Sequence, residues 1–139
     1  MKSIGILSLL LFTLLSCRKD NTDRIPDVYI NYSITLQEFD LKKSQDDILL
    51  VSGQGVAGLL ICKTSANTYK AYDRCSTVNP EKKCAVVPEN SFTAVDPCSG
   101  AKYLLLDGSP AKAPATRALK EYQVAVTNYQ IMVTNTYGN

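Results

Sequence analysis

In Val28-Tyr29-Ile30-Asn31-Tyr32-Ser33-Ile34-Thr35-Leu36 every second residue, from Val28 to Leu36, is apolar, and Tyr29, Asn31, Ser33 and Thr35 fill the positions between. A period of two over nine residues, rich in β-branched and aromatic side chains, predicts a strand with one buried face. The same reading extends down the chain. Ile48-Leu49-Leu50-Val51 predicts a short buried strand, stopped by Ser52-Gly53-Gln54-Gly55. Leu59 to Lys63 and Tyr69 to Asp73 predict a hairpin around Thr64-Ser65-Ala66-Asn67. Further short strands are expected at Ala85 to Val87, Phe92 to Val95 and Tyr103 to Leu106, with a turn at Asp107-Gly108-Ser109-Pro110. Tyr122 to Val126 and Ile131 to Thr134 read as a closing hairpin that exposes Tyr129 at its turn. Gln37 to Asp47, with four acidic and two basic residues around Phe39 and Leu41, reads as a loop. Ala115 to Leu119 offers one helical turn at most. No window sustains a 3.6-residue period, so the fold class is all-β, an antiparallel sandwich or barrel of short strands with little or no helix.

The 139 residues carry fifteen Lys and Arg against thirteen Asp and Glu, and no histidine. A net charge of +2 without a basic run argues against nucleic acid as a partner. Absence of histidine excludes Ser-His-Asp and Cys-His catalysis, as well as imidazole-dependent zinc and copper sites. No base suited to hydrolysis is visible, no catalytic residue is assigned, and the chain is expected not to be an enzyme.

Lys2 precedes twelve residues, Ile4 to Leu15, interrupted only by Gly5, Ser8 and Thr13. That run is too short to span a bilayer, which takes about twenty apolar residues, and fits a secretory signal. It ends in Leu14-Leu15-Ser16-Cys17 and then Arg18-Lys19-Asp20-Asn21, which resembles a bacterial lipobox. The expectation is a signal peptide over 1–16, lipid attachment at Cys17, a solvated tether through residue 26, and a domain over 27–139. The chain would then be a lipoprotein of the bacterial cell envelope, anchored through its lipid at the outer membrane or the periplasmic face.

Gly53-Gln54-Gly55-Val56-Ala57-Gly58 matches G-x-G-x-x-G, follows a predicted strand, and has Asp73 twenty residues after Gly53. A dinucleotide site needs a helix to start at the last glycine. Here Thr64-Ser65-Ala66-Asn67 arrives too soon for a crossover helix, so the glycines read as a turn between strands.

With Cys17 given to lipid, Cys62, Cys75, Cys84 and Cys98 remain, separated by twelve, eight and thirteen residues. In an oxidising compartment such a set suggests disulfides first, and the spacings match no zinc ribbon or plant-type iron–sulfur site. Cys62 reads as a small core residue. Cys75 is open between a free thiol, a partner for Cys62 and a competitor for Cys98, since four cysteines allow three full pairings.

Ala71-Tyr72-Asp73-Arg74-Cys75, Cys84, Asp96-Pro97-Cys98-Ser99-Gly100-Ala101-Lys102-Tyr103 and Asp107-Gly108-Ser109-Pro110 come in an order that resembles a Rieske [2Fe–2S] domain. Ala113-Pro114-Ala115, Leu119 and Tyr122-Gln123-Val124 continue the likeness, which spans about residues 48 to 134. The lipobox and Ile25-Pro26-Asp27-Val28 are similar to small Rieske-like lipoproteins of Bacteroidetes. The resemblance implies a Rieske-like antiparallel β-sandwich. It also implies a disulfide between Cys84 and Cys98, which stand at the auxiliary cysteine positions of the family's two cluster loops.

The family's cluster takes one cysteine and one histidine from each loop. Cys75 stands at the first cysteine position, Thr77 (or Val78, if the register slips) at the first histidine, Asp96 at the second cysteine and Ser99 at the second histidine. With one ligand of four left, the expectation is a degenerate site with no metal and no cofactor. The protein would then be a structural or interaction module with an envelope protein partner. The alternatives are electron transfer through a [2Fe–2S] cluster and a thiol redox role for Cys75, which requires an accessible thiol of low pKa. Asp96 also reads as a turn residue before Pro97. Asp40, Asp46 and Asp47 fit no calcium loop and read as solvated carboxylates.

Overall fold

A computed structural model describes residues 24–135. Its centre is β3 (Leu59–Ser65), whose run Leu59-Leu60-Ile61-Cys62 is buried at every position. Successive side chains on a strand point to opposite faces, so this one strand serves two cores. Leu59 and Ile61 pack with Ile30, Ile34, Phe39, Ile131 and Val133. Leu60 and Cys62 pack with Tyr72, Val86, Ala94, Tyr103 and Leu105. An uninterrupted apolar run is what a strand covered on both sides requires. Truncating Ile61 to Ala would cost about 2–5 kcal/mol.

On one side of β3 pairs β2 (Ile48–Val51), with Ile48 opposite Cys62, and on the other β4 (Thr68–Asp73), with Leu60 opposite Tyr72. The sheet continues through β9 (Glu121–Val126) and β10 (Gln130–Thr134) to β1 (Asn31–Thr35), in the order β1-β10-β9-β4-β3-β2. A second sheet, β5 (Val87–Pro88), β6 (Thr93–Val95), β7 (Lys102–Leu104) and β8 (Pro110–Lys112), lies in that chain order. Every pairing is antiparallel. Tyr72 from the large sheet and Ala94, Tyr103 and Leu105 from the smaller one and its flank share the second core.

One expected loop is a helix. Leu36–Lys42 forms α1, begun by Thr35, whose hydroxyl accepts from Glu38 N–H at 3.1 Å. Its single buried residue, Phe39, packs edge-on to Tyr69 with ring centroids 5.2 Å apart. A Thr-x-x-Glu capping pair and one aromatic anchor thus order a segment whose charges suggested a loop. The strand expected from Val28 is regular only from Asn31, and Ala115 to Leu119 holds no helical turn. Tyr129 is exposed at the last hairpin. Among the described residues no helix is long and apolar enough to cross a membrane. Met1 to Asp23, including Cys17 and the expected signal and lipid site, lie outside the described residues.

Candidate functional site

Two loops meet at the smaller sheet. The first runs from the end of β4 to β5 and is closed at its base by an antiparallel bridge between Cys75 and Ala85. Ser76 N–H donates to Cys84 O at 2.8 Å, and Val86 N–H to Arg74 O at 2.6 Å. At its far end a 3-10 turn, Pro80–Lys82, is flanked by Asn79 and Lys83. The second loop, from β6 to β7, is a tight turn over residues 96–101. Gly100 N–H donates to Asp96 O, and Asp96 N–H to Ala101 O, both at 2.8 Å. The turn role expected of Asp96 is present, and its side chain adds a hydrogen bond from Cys98 N–H at 2.8 Å.

The structure brings Asp96, Ser99 and Thr77 into one hydrogen-bonded network. Asp96 Oδ2 accepts from Ser76 Oγ at 2.7 Å and from Ser99 Oγ at 2.6 Å. Ser76 Oγ in turn accepts from Val78 N–H at 3.1 Å. Thr77 Oγ1 donates to Arg117 O at 2.9 Å, while Thr77 N–H donates to the Tyr103 hydroxyl at 3.2 Å. The hydroxyl protons of Ser76 and Thr77 being committed, the Tyr103 proton is shared between Ser76 Oγ at 3.1 Å and Thr77 Oγ1 at 3.0 Å. Asp96, Ser76 and Tyr103 are buried, with 0–1% exposure, and among the described residues no buried side-chain nitrogen or oxygen lacks a partner. Burial works to raise the Asp96 pKa, but the bonds from Ser99, Ser76 and Cys98 N–H prevail and hold it below the ordinary carboxylate value.

Cys75 stands apart from this network. It is fully buried, and its thiol donates to Pro80 O at 3.5 Å. Burial first, then the negative charge of Asp73, pushes its pKa up to about 11. Both facts oppose the thiol redox role, which needs an accessible, acidic thiol. Cys62 is also free and buried, and desolvation pushes its pKa up to about 12. Cys84 and Cys98 are joined as a disulfide, Cα–Cα 6.4 Å, which ties the two loops together.

The glycine motif serves a different end from the one its pattern suggests. Gly53 to Gly58 forms the turn between β2 and β3, and Val56 and Ala57 donate their N–H groups to the Asp73 carboxylate at 2.7 and 3.1 Å. Cys75 N–H and the Tyr122 hydroxyl add bonds of 2.8 Å each. The anion in this cradle is the chain's own buried Asp73, which thereby fixes Cys75 and the start of the first loop. Away from the loops, Asp40 and Asp47 both pair with Lys43, and Asp46 accepts from Ser91 Oγ at 2.7 Å.

Ser76, Tyr103 and Asp73 were not marked by the sequence as site residues. Ser76 and Tyr103 carried no spacing signal, since their contact depends on how two loops fold together. Asp73 stands in the sequence as the acidic member of the rejected nucleotide motif and within the stretch that leads to Cys75, with no role of its own assigned.

No protein-family model matches the sequence, and no curated protein does. Several solved structures resemble the fold, two of them as follows. The ferredoxin of carbazole 1,9a-dioxygenase from Nocardioides aromaticivorans superposes over 79% of this chain and all of its own, with a TM-score of 0.50 and 16% identity. A complex of the oxygenase, as a variant, with the ferredoxin of carbazole 1,9a-dioxygenase matches over 78% of this chain, with a TM-score of 0.52 and 17% identity. This chain spans only 29% of the length of that second matched chain. At these identities the likeness concerns architecture alone: the described residues form a Rieske-like antiparallel β-sandwich.

Proposed function

We propose that this protein is a lipid-anchored module of the bacterial cell envelope whose Rieske-like fold holds no iron–sulfur cluster and serves a structural or protein-binding role. The observation that carries this reading is the network around Asp96. A [2Fe–2S] cluster of this type needs two thiolates on one iron and two imidazoles on the other. At the corresponding positions stand one buried thiol bonded to Pro80 O, a threonine hydroxyl committed to Arg117 O and Tyr103, a carboxylate with three donors, and a serine hydroxyl donating to that carboxylate. This donor set does not fit the cluster. Each group is already committed to a hydrogen-bond partner within the protein, so the loops are held by hydrogen bonds and the Cys84–Cys98 bridge.

A binding role draws support from the neighbour that belongs to a complex of an oxygenase with a ferredoxin, which makes a protein partner in the envelope the fitting expectation. The anchor rests on the lipobox ending in Cys17. The test has two parts. The chain is produced in a host competent for iron–sulfur assembly, purified without oxygen, and assayed for iron, sulfide and visible absorption. Iron near zero is expected, whereas stoichiometric iron with a [2Fe–2S] spectrum would restore electron transfer. Separately, a metabolic lipid label should enter the wild type and not Cys17→Ala, and equal labelling or none in both would sink the anchor.

A further inference from the structure

We propose that Cys84, Cys98 and Asp96 form a binding site for a thiophilic divalent cation of the zinc class, open only when the Cys84–Cys98 disulfide is reduced. The two sulfur atoms and a carboxylate oxygen of Asp96 all lie within 4.8 Å of one another. Around a tetrahedral zinc with bonds of ~2.3 Å to sulfur and ~2.0–2.2 Å to oxygen, ligand atoms stand about 3.3–3.8 Å apart. The Asp96 oxygen therefore already stands within reach of both sulfurs, which their covalent bond holds closer together than ligand spacing. The Cα–Cα distance of 6.4 Å lies at the wide end of the disulfide range of ~4.4–6.8 Å. Once the bond is cut, side-chain rotation alone lets the sulfurs separate to ligand spacing.

The surroundings suit a metal ligand. Asp96 is held in place by Ser76 Oγ, Ser99 Oγ and Cys98 N–H, the outer-shell support that orients a coordinating carboxylate. Cys98 is exposed, so a reductant and then a cation reach the site from solvent. Two thiolates select a soft or borderline ion, and the carboxylate favours zinc over monovalent copper. The other two described thiols are occupied elsewhere, Cys62 against Leu105 O and Cys75 against Pro80 O. The chemistry balances: a dithiol gives two electrons and two protons to the disulfide and leaves as its own cyclic disulfide. The cation then displaces one proton from each cysteine as it binds. The site is independent of the four cluster-ligand positions, except that Asp96 belongs to both.

The test titrates Cd²⁺, a spectroscopic stand-in for zinc, into the purified full chain, oxidised or reduced with a dithiol that is then removed without oxygen. The reduced chain should bind one Cd²⁺, with charge-transfer absorption for two thiolates and a ¹¹³Cd resonance for mixed sulfur and oxygen ligation. Zinc should displace it. Asp96→Asn should weaken binding by at least about tenfold, the smaller effect seen when even an outer-shell partner is lost. If that variant fails to fold, the infrared difference spectrum of the reduced wild type on binding Cd²⁺ still reports the ligand, because a coordinating carboxylate shifts its stretching bands and a water oxygen has none to shift. No uptake after reduction, equal uptake by the oxidised chain, or a complex with three or more thiolates would each overturn the proposal.

Discussion

Gly55 lies against the carboxylate of Asp73: a Cβ on that glycine would stand 2.5 Å from Asp73 Oδ2, with the Tyr122 hydroxyl 3.4 Å away. Its φ of +70° adds a conformation that L-residues adopt at a cost of about 1–2 kcal/mol. Gly53, with φ of +75°, has nothing within 4 Å of the same position. The two glycines thus separate backbone strain from loss of the Asp73 cradle. Gly53→Ala should lose on the order of 1 kcal/mol in urea denaturation. Gly55→Ala should lose about 3 kcal/mol, because one or more bonds to a buried carboxylate must also break. Equal losses would mean that the cradle adds nothing.

Asp96 gives the site a defined response to acid. Its carboxyl titrates below the ordinary value of 3.8 in the folded chain, so the folded state favours the ionised form. The stability this contributes is fully present above the unfolded pKa and is lost as pH falls through the folded one. At about pH 7, Asp96→Asn should cost roughly 1–3 kcal/mol, the range for leaving buried donors without an acceptor. That gap between variant and wild type should narrow as the pH drops below about 4. Urea midpoints measured across this interval check it, and a gap that does not change with pH would mean that the carboxyl is already neutral in the fold.

Tyr103 joins the network through one oxygen. Tyr103→Phe keeps the ring in its core and removes the acceptor of Thr77 N–H and the donor shared by Ser76 and Thr77. A loss of about 1–3 kcal/mol is expected, with faster hydrogen exchange at the Thr77 amide and little change in the large sheet. Uniformly faster exchange across both sheets would show that the hydroxyl supports the whole domain instead of the loop junction.

How far the sequence discloses this molecule depends on the range of the forces involved. The alternation from Val28 and the apolar run at Leu59 are local patterns set by strand geometry, and the hairpin from β3 to β4 follows from them. The split of β3 between two cores is implicit in the unbroken Leu59-Leu60-Ile61-Cys62, but which residues meet each face requires the fold. The three-residue β8 has no periodicity to detect. At the site, Asp96 could be placed by its neighbours, whereas its bond to Ser76 spans twenty residues. Two of the backbone donors of Asp73, Ala57 and Val56, lie sixteen and seventeen residues away from it. Backbone N–H groups carry no sequence signature, so a carboxylate satisfied by them reads as an ordinary charge.

Thr35 and Glu38 held a local signal that net charge obscured. Thr35→Ala removes the acceptor for Glu38 N–H and should cost about 1 kcal/mol. Thr35→Ser, which keeps the oxygen, should restore most of it. The measurement is thermal or urea unfolding of both variants, and equal destabilisation by the two would assign the effect to packing by the threonine methyl.

The four described cysteines should divide into two chemical classes. Cys62 and Cys75 are buried, with thiols pushed up to about 12 and about 11. At about pH 8 both stay protonated and shielded, so a thiol reagent should leave them unmodified in the folded chain and label them at the rate of unfolding. Cys84 and Cys98 close a loop with a sequence separation of 14. In the chain-entropy model, cutting that link costs about 3 kcal/mol, and the exposure of Cys98 lets a dithiol reach it in the folded state. Mass spectrometry after timed labelling, with and without the dithiol, distinguishes the pairs. Rapid labelling of Cys75 in the oxidised protein would contradict its burial and revive a thiol redox role. Labelling confined to Cys84 and Cys98 after reduction would place the protein's accessible sulfur chemistry at the junction of the two loops.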